Sequence, residues 1–240
     1  MNSKMIGSIA DSGLFDKIYV PQIPSDGGLA LGSAFYVHAK ETRLHGTNMQ
    51  EGAYLGPKYA SETIKKATWR AGLRVQKYNL NQAASLLSDG KVIAFCSGRS
   101  ELGPRTLGAR SIIAKPNPRE MRDLVNSKIK FRESYTPFAP VIRDVDATEY
   151  FHLGTSNLNF MGTVCKAKAK AIKEAPAIVH VDGTSRVQAL SRTSHGGEQL
   201  YDLLSHLKDH FRISILLNTS FNLSGDPIVE SPTDAIRTFV

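Results

Sequence analysis

Cysteine, long apolar runs and a leader-like start are scarce or missing in this sequence. Its two cysteines, Cys96 and Cys165, lie far apart and outside any CxxC or Cys/His spacing, which argues against a disulfide framework or a zinc site. No run of about 18 apolar residues occurs, and the N-terminus lacks the parts of a signal peptide. We therefore expect a soluble, cytoplasmic protein without a membrane partner. Both cysteines are predicted to be free thiols, with Cys96 in a buried strand.

The composition is that of a globular protein with an uneven positive charge. Of the 240 residues, 41% are hydrophobic and 22% are charged, enough for one large or two small domains. The formal net charge is +8, and residues 91–143 hold eleven Lys or Arg against four Asp or Glu. Such a cluster indicates an anionic partner, either nucleic acid or a phosphorylated small molecule. A solvated basic face is the alternative.

The hydrophobic pattern alternates between strand and helix periods, which predicts an α/β fold. Residues 41–60 are rich in turn residues and predict a linker. The two termini, "NSKMIGSIADSGLF" and the Ser231-capped "ESPTDAIRTFV", each predict a helix that is interrupted by the end of the sequence. We therefore expect a fragment of a longer protein. The predicted strands are "DKIYVPQ", "KVIAFC", "PAIVHVDG" and "RISILLN". Two further helices are predicted after Gly28 and after a cap at Ser61. The remaining predicted helices are "NQAASLLSDG", "PREMRDLVNSK" with Pro118 at its first position, and "GEQLYDLLSHLKDHF".

The helix predicted for "GEQLYDLLSHLKDHF" carries an apolar stripe that we assign to the core. Two histidines, His206 and His210, are spaced as metal ligands could be, but they flank the stripe without carboxylates, so we expect exposed bystanders. The stripe consists of Leu200, Leu203, Leu204, Leu207 and Phe211.

The stretch "GRSELGPRTLGARS", residues 98–111, has three arginines and three glycines in fourteen positions. Guanidinium groups match phosphate oxygens bidentately, and glycines let backbone amides approach the same anion. This predicts Arg99, Arg105 and Arg110 as phosphate ligands, helped by amides near Gly103 and Gly108. We expect one of the three arginines to be structural, paired with Glu101.

Two further polar groups show a spacing of two residues. Lys130 and Arg132 would point to one face if they lie on a strand. The segment "LLNTSFNLSGDP" places Asn218, Ser220 and Asn222 two apart, so that they could orient a nucleotide on one strand face. The alternative for this second group is ordinary turn chemistry.

Six ordered blocks together resemble the NodU/CmcH carbamoyltransferase family. The blocks are "SDGGLALGSA", "YLGP", "GPRTLGARSI", "NSKIKFRESYTPFAP", "VDGTSRVQ" and "LNTSFNLSGDPIV". The resemblance implies a YrdC-like domain over residues 70–240, a twisted mixed sheet with flanking helices. It further implies that residues 1–60 are the tail of an actin/sugar-kinase-like domain.

The resemblance also implies chemistry. The YrdC-like domain of such proteins converts carbamoyl phosphate and ATP, with Mg²⁺, to carbamoyladenylate, and the kinase-like domain passes the carbamoyl group to a hydroxyl-bearing small molecule with the help of Fe²⁺. The implied catalytic residues are Arg105, Lys130 and Arg132. The implied metal ligand is Asp26, for which a plain helix cap is an equal alternative. The implied ATP or carbamoyl-phosphate ligands are Arg99, Gly103, Gly108, Arg110, Ser111, Arg186, Asn218, Ser220 and Asn222.

Two departures and two alternatives accompany the resemblance. Family members often carry basic residues where this chain has Thr136 and Leu223 or Ser224, which leaves the individual phosphate assignments open. An RNA-binding module without activity is the main alternative, although the aromatics of the basic window, Phe95, Phe131, Tyr135 and Phe138, mostly indicate core positions, which makes a nucleic-acid partner the lesser expectation. An inactive remnant is a further alternative.

Overall fold

The computed structural model describes residues 2–42, 52–194 and 196–240. The helices are α1 (Ser3–Asp11), α2 (Gly27–Thr42), α3 (Ser61–Arg70), α4 (Leu80–Ser88), α5 (Met121–Leu124), α6 (Asp144–Tyr150), α7 (Ala169–Glu174), α8 (Glu198–Phe211) and α9 (Pro232–Phe239). The strands are β1 (Ile93–Cys96), β2 (Arg110–Ala114), β3 (Ala139–Arg143), β4 (Phe151–His152), β5 (Cys165–Ala167), β6 (Thr184–Ser185), β7 (Gln188–Leu190) and β8 (Ile215–Ser220). None of the helices in this described part is long and apolar enough to cross a membrane.

The main sheet is mixed, as the family resemblance implies. Its five strands run in the order β1-β2-β8-β3-β7, in which only β3 and β7 pair in parallel. A smaller antiparallel sheet has the order β4-β5-β6. Helices cover the main sheet, which confirms the mixed α/β fold class. The division into a kinase-like tail and a YrdC-like domain stays a prediction.

The strand in the middle of the main sheet separates two hydrophobic cores. Ile215 and Leu217 of β8 pack into one core with Ile142, whereas Leu216 packs into the other with the leucines of α8. This alternation follows from the two-residue period of a strand. Because each fully buried leucine contributes about 1.5–3 kcal/mol, the two faces fix the register of β8.

The leucine stripe of α8 is confirmed as core. Four of its leucines are essentially inaccessible, while Phe211 at the end of the stripe is half-buried. The helix ends at Phe211, and the next residue, Arg212, adopts a left-handed backbone conformation with φ of 58°. The stripe packs against α4 and the sheet, and these contacts hold the start of α8 beside the loop between β1 and β2.

Several sequence predictions about local structure are wrong or only partly right. The segment "PAIVHVDG" begins with a 3₁₀ turn at Pro176–Ile178 instead of a strand. Within "DKIYVPQ", Ile18 makes only an isolated bridge to Ser156. The helix after Pro118 starts at Met121, because Met121 bonds to Pro118 in a three-residue turn, and it continues as a π-helix over Val125–Ile129.

Three further expectations also need correction. Helix α3 is capped at Ala60, without a side-chain bond, instead of by Ser61. Cys96 ends an edge strand and is exposed, since β1 pairs on one side only. Of the predicted linker 41–60, residues 43–51 lie outside the described residues, and Ala53 and Tyr54 are buried in a core with Leu107. The capping box of α9 at Ser231 and Asp234 is confirmed.

Candidate functional site

The loop between β1 and β2 is held by its own carboxylate. Glu101 Oε1 accepts hydrogen bonds from the backbone N–H groups of Leu107 and Ala109, each at 2.6 Å, and of Arg110 at 3.3 Å. The N–H of Gly108 donates to Ser111 Oγ at 3.1 Å. The amides predicted to bind an external anion near Gly108 are therefore already engaged by groups of this loop.

Arg110 is the structural arginine that the sequence predicts, but with other partners. Its buried guanidinium donates to the carbonyl oxygens of Ala109 at 2.9 Å, Ser97 at 3.2 Å and Glu230 at 3.2 Å. The carboxylate beside it belongs to Glu230, at 4.0 Å, and not to Glu101. Since Glu101 is engaged with backbone amides, the expected Arg–Glu101 pair is not formed by Arg110.

Arg99 and Gly103 of this loop lie against backbone carbonyl oxygens of earlier parts of the chain. The exposed Arg99 side chain donates from Nη2 to the carbonyl oxygen of Leu55 at 2.9 Å. Gly103 has φ of +116°, and a Cβ there would lie 3.1 Å from the carbonyl oxygen of Gln22. A glycine is required at this turn because other residues rarely adopt such a φ.

A small cavity is lined by three of the other predicted cationic residues. It has a volume of about 100 Å³ and lies at the end of β8, beside the loop between β1 and β2. Among the described residues, three arginines line it, Arg105, Arg132 and Arg186, and no Asp or Glu does. The remaining lining residues are Pro104, Thr106, Pro137, Phe138, Ala139, Met161, Asn218, Thr219 and Ser220. We call this site the arginine cavity.

The three arginines of the cavity differ in how they are held. Arg132 donates from Nε to Asn126 Oδ1 at 2.7 Å, and its guanidinium lies 4.7 Å from the centre of the Phe138 ring. Arg186 Nε is buried and finds no hydrogen-bond partner among the described residues. Burial, and next the neighbouring charge of Arg105, lower the pKa of Arg186 to about 10. An uncompensated positive field of this kind favours an anionic ligand.

Lys130 lies next to the cavity but not on a strand. It follows the π-helix, and the left-handed Phe131 (φ 47°) then turns the chain, so the expected strand alternation with Arg132 is wrong. Its buried Nζ donates to the carbonyl oxygens of Ser220 at 2.8 Å and Asn222 at 2.7 Å, and to Asn222 Oδ1 at 2.6 Å. Burial, and next the charge of Arg132, lower the pKa of Lys130 to about 8.

The three polar residues at the end of β8 are only partly on one strand face. Asn218 and Ser220 belong to β8 and line the cavity, whereas Asn222 follows the strand. Asn222 accepts from Ser220 Oγ at 2.7 Å and donates to the carbonyl oxygen of Asp226 at 2.6 Å. Ser220 and Asn222 therefore form, with Lys130, one wall beside the arginine cavity.

The candidate metal ligands are isolated in the described part of the chain. Asp26 is exposed immediately before α2. The rings of His206 and His210 lie 4.2 Å apart on α8, and their residues are not accompanied by a third ligand. No group of three His, Cys, Asp or Glu side chains suited to a metal ion occurs among the described residues.

Two features of the site escape prediction from sequence. Glu101 is recognisable as an acidic residue in a basic loop, but its backbone partners follow only from the loop's fold. Gln188 Oε1, on β7, accepts a hydrogen bond from Asn218 Nδ2 at 2.9 Å across the sheet.

Two of the four aromatic residues in the basic window are exposed. Phe131 and Tyr135 are 66% and 76% exposed, so their assignment to the core is wrong, while Phe95 and Phe138 are buried as expected.

Comparison with known proteins assigns this arrangement to a family. A family model described as the carbamoyltransferase C-terminus matches residues 84–240. The nodulation protein NolO of Bradyrhizobium diazoefficiens is 39% identical over 246 residues, covering 100% of this chain and 44% of that protein. Nodulation protein U of Sinorhizobium fredii is 33% identical over 225 residues, covering 94% of this chain and 38% of that protein.

Among solved structures, the crystal structure of full-length HypF in the phosphate- and nucleotide-bound form is 20% identical, with a TM-score of 0.49. The matched region covers 69% of this chain and 20% of the HypF chain. The chain spans less than half the length of the curated relatives it matches. Because the family model matches more than half of its residues, this chain belongs to the carbamoyltransferase C-terminus family.

Proposed function

We propose that this part of the protein activates a carbamoyl group by forming carbamoyladenylate from carbamoyl phosphate and ATP. The observation that supports this most directly is the arginine cavity, where three guanidinium groups converge in a space of about 100 Å³ and no carboxylate of the described residues lies among them. Such a site suits a small polyanion, because phosphate oxygens accept bidentate hydrogen bonds from guanidinium groups. Membership of the carbamoyltransferase family makes carbamoyl phosphate the appropriate polyanion.

The proposed reaction has two balanced steps. Water first cleaves carbamoyl phosphate to carbamate and inorganic phosphate. A carbamate oxygen then attacks the α-phosphorus of ATP, a P–O bond forms, and pyrophosphate leaves with the electron pair of the broken P–O bond. Several negative charges approach one another in the second step, so the protein's contribution is mainly alignment and electrostatic stabilisation.

The residues divide into ligands and supports in this proposal. Arg105, Arg132 and Arg186 bind phosphate or carbamoyl oxygens, and Lys130 adds charge and holds Ser220 in place. The other predicted ligands in the loop between β1 and β2 act as supports instead. Glu101 and the residues it organises keep the loop folded, and the supports in this loop are Arg99, Gly103, Gly108, Arg110 and Ser111.

Metal ions enter the proposal in different ways. Mg²⁺ would arrive with ATP as part of the substrate. Iron is proposed only for the complete enzyme, because Asp26 is exposed and the described residues offer it no companion ligands. The described residues therefore do not form an iron site, and the subsequent transfer to a hydroxyl-bearing acceptor is a proposal for the whole protein.

ATP–pyrophosphate exchange tests the proposal directly. The purified chain should exchange labelled pyrophosphate into ATP only when carbamoyl phosphate is present. Arg105→Ala and Arg132→Ala should each reduce exchange about 100-fold, the usual effect of removing one group that stabilises developing charge. Arg119→Ala, at an exposed arginine outside the cavity, is the control. A folded chain that binds neither ATP nor carbamoyl phosphate would refute the proposal.

RNA binding is a second candidate, favoured by the exposure of Phe131 and Tyr135 in the basic window. Exposed aromatic rings among cations can stack on unpaired bases, each stack contributing about 1–3 kcal/mol. If RNA is the ligand, affinity for a single-stranded oligonucleotide should fall steeply with salt and should weaken in Phe131→Ala. Binding of a small polyanion in the arginine cavity should be unaffected by that substitution.

A further inference from the structure

A chain of side-chain amides fixes the orientation of Asn218 at the arginine cavity. Asn218 is 2% exposed, and its Nδ2 donates to Gln188 Oε1 at 2.9 Å. Gln188 in turn donates from Nε2 to the carbonyl oxygen of Leu107 at 2.6 Å. Both ends of the Gln188 amide and the NH₂ end of the Asn218 amide are thus engaged, and the direction of the whole chain is set by a backbone carbonyl, which can only accept.

A tyrosine reinforces this direction. Tyr54 donates its hydroxyl to the same carbonyl oxygen of Leu107 at 2.7 Å. Burial, and next the charge of Glu101, raise the pKa of Tyr54 well above its ordinary value, so the hydroxyl keeps its proton and remains a donor. If the Gln188 amide were flipped, its oxygen would face an oxygen that already accepts from Tyr54. The observed orientation is therefore the stable one.

The consequence is an acceptor without a partner among the described residues, in a cavity lined by three arginines. Asn218 Oδ1 is buried and has no hydrogen-bond partner among the described residues, although Asn218 lines the arginine cavity. The guanidinium groups of Arg105, Arg132 and Arg186 around it can all donate. A buried acceptor without a partner is costly, so a ligand that completes this site should carry anionic oxygens and an N–H donor together.

We infer that Asn218 Oδ1 accepts an N–H of the ligand's carbamoyl group and thereby selects a carbamoyl over an acetyl compound. This inference rests on the proposed function. The two acyl phosphates have nearly the same shape, and they differ in an NH₂ group against a methyl group. With acetyl phosphate in the cavity, the arginines still bind the phosphate, but Asn218 Oδ1 faces a methyl group and stays unpaired.

Paired titrations of carbamoyl phosphate and acetyl phosphate by calorimetry test this selection. The wild-type chain should bind carbamoyl phosphate at least about 10-fold more tightly than acetyl phosphate, as expected for one buried hydrogen bond made or lost. In Asn218→Leu, the affinity for carbamoyl phosphate should fall while that for acetyl phosphate is kept, so the ratio approaches one. Retained binding of acetyl phosphate shows that this variant is folded and its cavity intact.

A second variant and a control complete the experiment. Gln188→Leu leaves Asn218 in place but frees its amide to rotate, so the preference should also decline. Asn157→Leu removes another partly buried asparagine, one paired with the backbone of Val20, and should leave the ratio unchanged. Equal wild-type binding of both compounds would overturn the inference alone, whereas binding of neither would overturn it together with the proposed function.

Discussion

Glu101 Oε1 accepts a hydrogen bond from the backbone N–H of Ala109 at 2.6 Å, closing the arginine-rich loop upon itself. The same oxygen accepts from Leu107, so a fixed internal anion occupies the amides that a glycine-rich loop would otherwise offer to a ligand. The loop is thereby formed before any substrate arrives. Arg105 lies in the segment between Glu101 and Leu107 that these hydrogen bonds close, and it lines the arginine cavity.

The internal anion makes Glu101 important for stability. We predict that Glu101→Gln lowers the free energy of unfolding by about 1–3 kcal/mol, because charge-assisted bonds to backbone N–H groups become neutral ones. Urea denaturation monitored by fluorescence measures the change. Glu120→Gln, at an exposed position, should change stability by less than about 0.5 kcal/mol. Equal effects of the two substitutions would contradict the role of Glu101.

The sequence predicts much of the fold because the strongest periodic signals come from buried elements. The leucines of α8 and the apolar residues of β8 recur at the periods of a helix and a strand, and both elements form where expected. "PAIVHVDG" has an equally apolar pattern, but Pro176 begins a 3₁₀ turn there. A short apolar run does not by itself distinguish a strand from a buried turn.

The site could be predicted by residue type but not by geometry. Charge and glycine content single out the arginines of the loop as a group, yet Arg110 turns inward to carbonyl oxygens while Arg105 faces the cavity. The backbone of Phe131 is left-handed, which few residues other than glycine adopt, and no spacing rule anticipates it. For that reason, the separation of Lys130 from Arg132 could not be derived from the motif.

Gly108 gives a prediction about packing between the loop and α8. Its φ is +107°, and a Cβ added there would lie 2.3 Å from Leu200 Cδ2. We expect Gly108→Ala to lower the free energy of unfolding by about 2–4 kcal/mol, from backbone strain together with overpacking. Gly183→Ala is a matched control, since φ is +76° there but nothing lies within 4 Å, so only the strain of about 1 kcal/mol should remain. Similar losses in both variants would argue against the Leu200 contact.

Lys130 gives a prediction about pH. Because its pKa is lowered to about 8, the ammonium group of the free protein loses its proton as the pH rises through that value. A bound polyanion favours the charged form, so binding of carbamoyl phosphate should weaken above about pH 8 and should be accompanied by proton uptake there. Calorimetry in buffers of different ionisation enthalpy measures this uptake.

The pH effect should depend on this one lysine. Lys130→Met should weaken binding at pH 7 and remove the step near pH 8, leaving only the ionisation of the ligand itself. Lys128→Met changes an exposed lysine two residues earlier and should keep the step. If the step persists unchanged in Lys130→Met, another group is responsible for it.

Arg186 gives a prediction in which stability and binding change in opposite directions. Its side chain is partly buried, its buried Nε has no partner among the described residues, and Arg105 adds a like charge nearby. In the absence of ligand, such a charge destabilises the folded state, because the desolvation is not offset by a carboxylate. Arg186→Met should therefore raise the melting temperature of the free protein while reducing its affinity for carbamoyl phosphate at least about 10-fold.

The control for this prediction is Arg119→Met, which changes an exposed arginine and should alter neither the melting temperature nor the affinity. A fall in both stability and affinity for Arg186→Met would mean instead that this arginine supports the fold, and that the cavity owes its charge to Arg105 and Arg132.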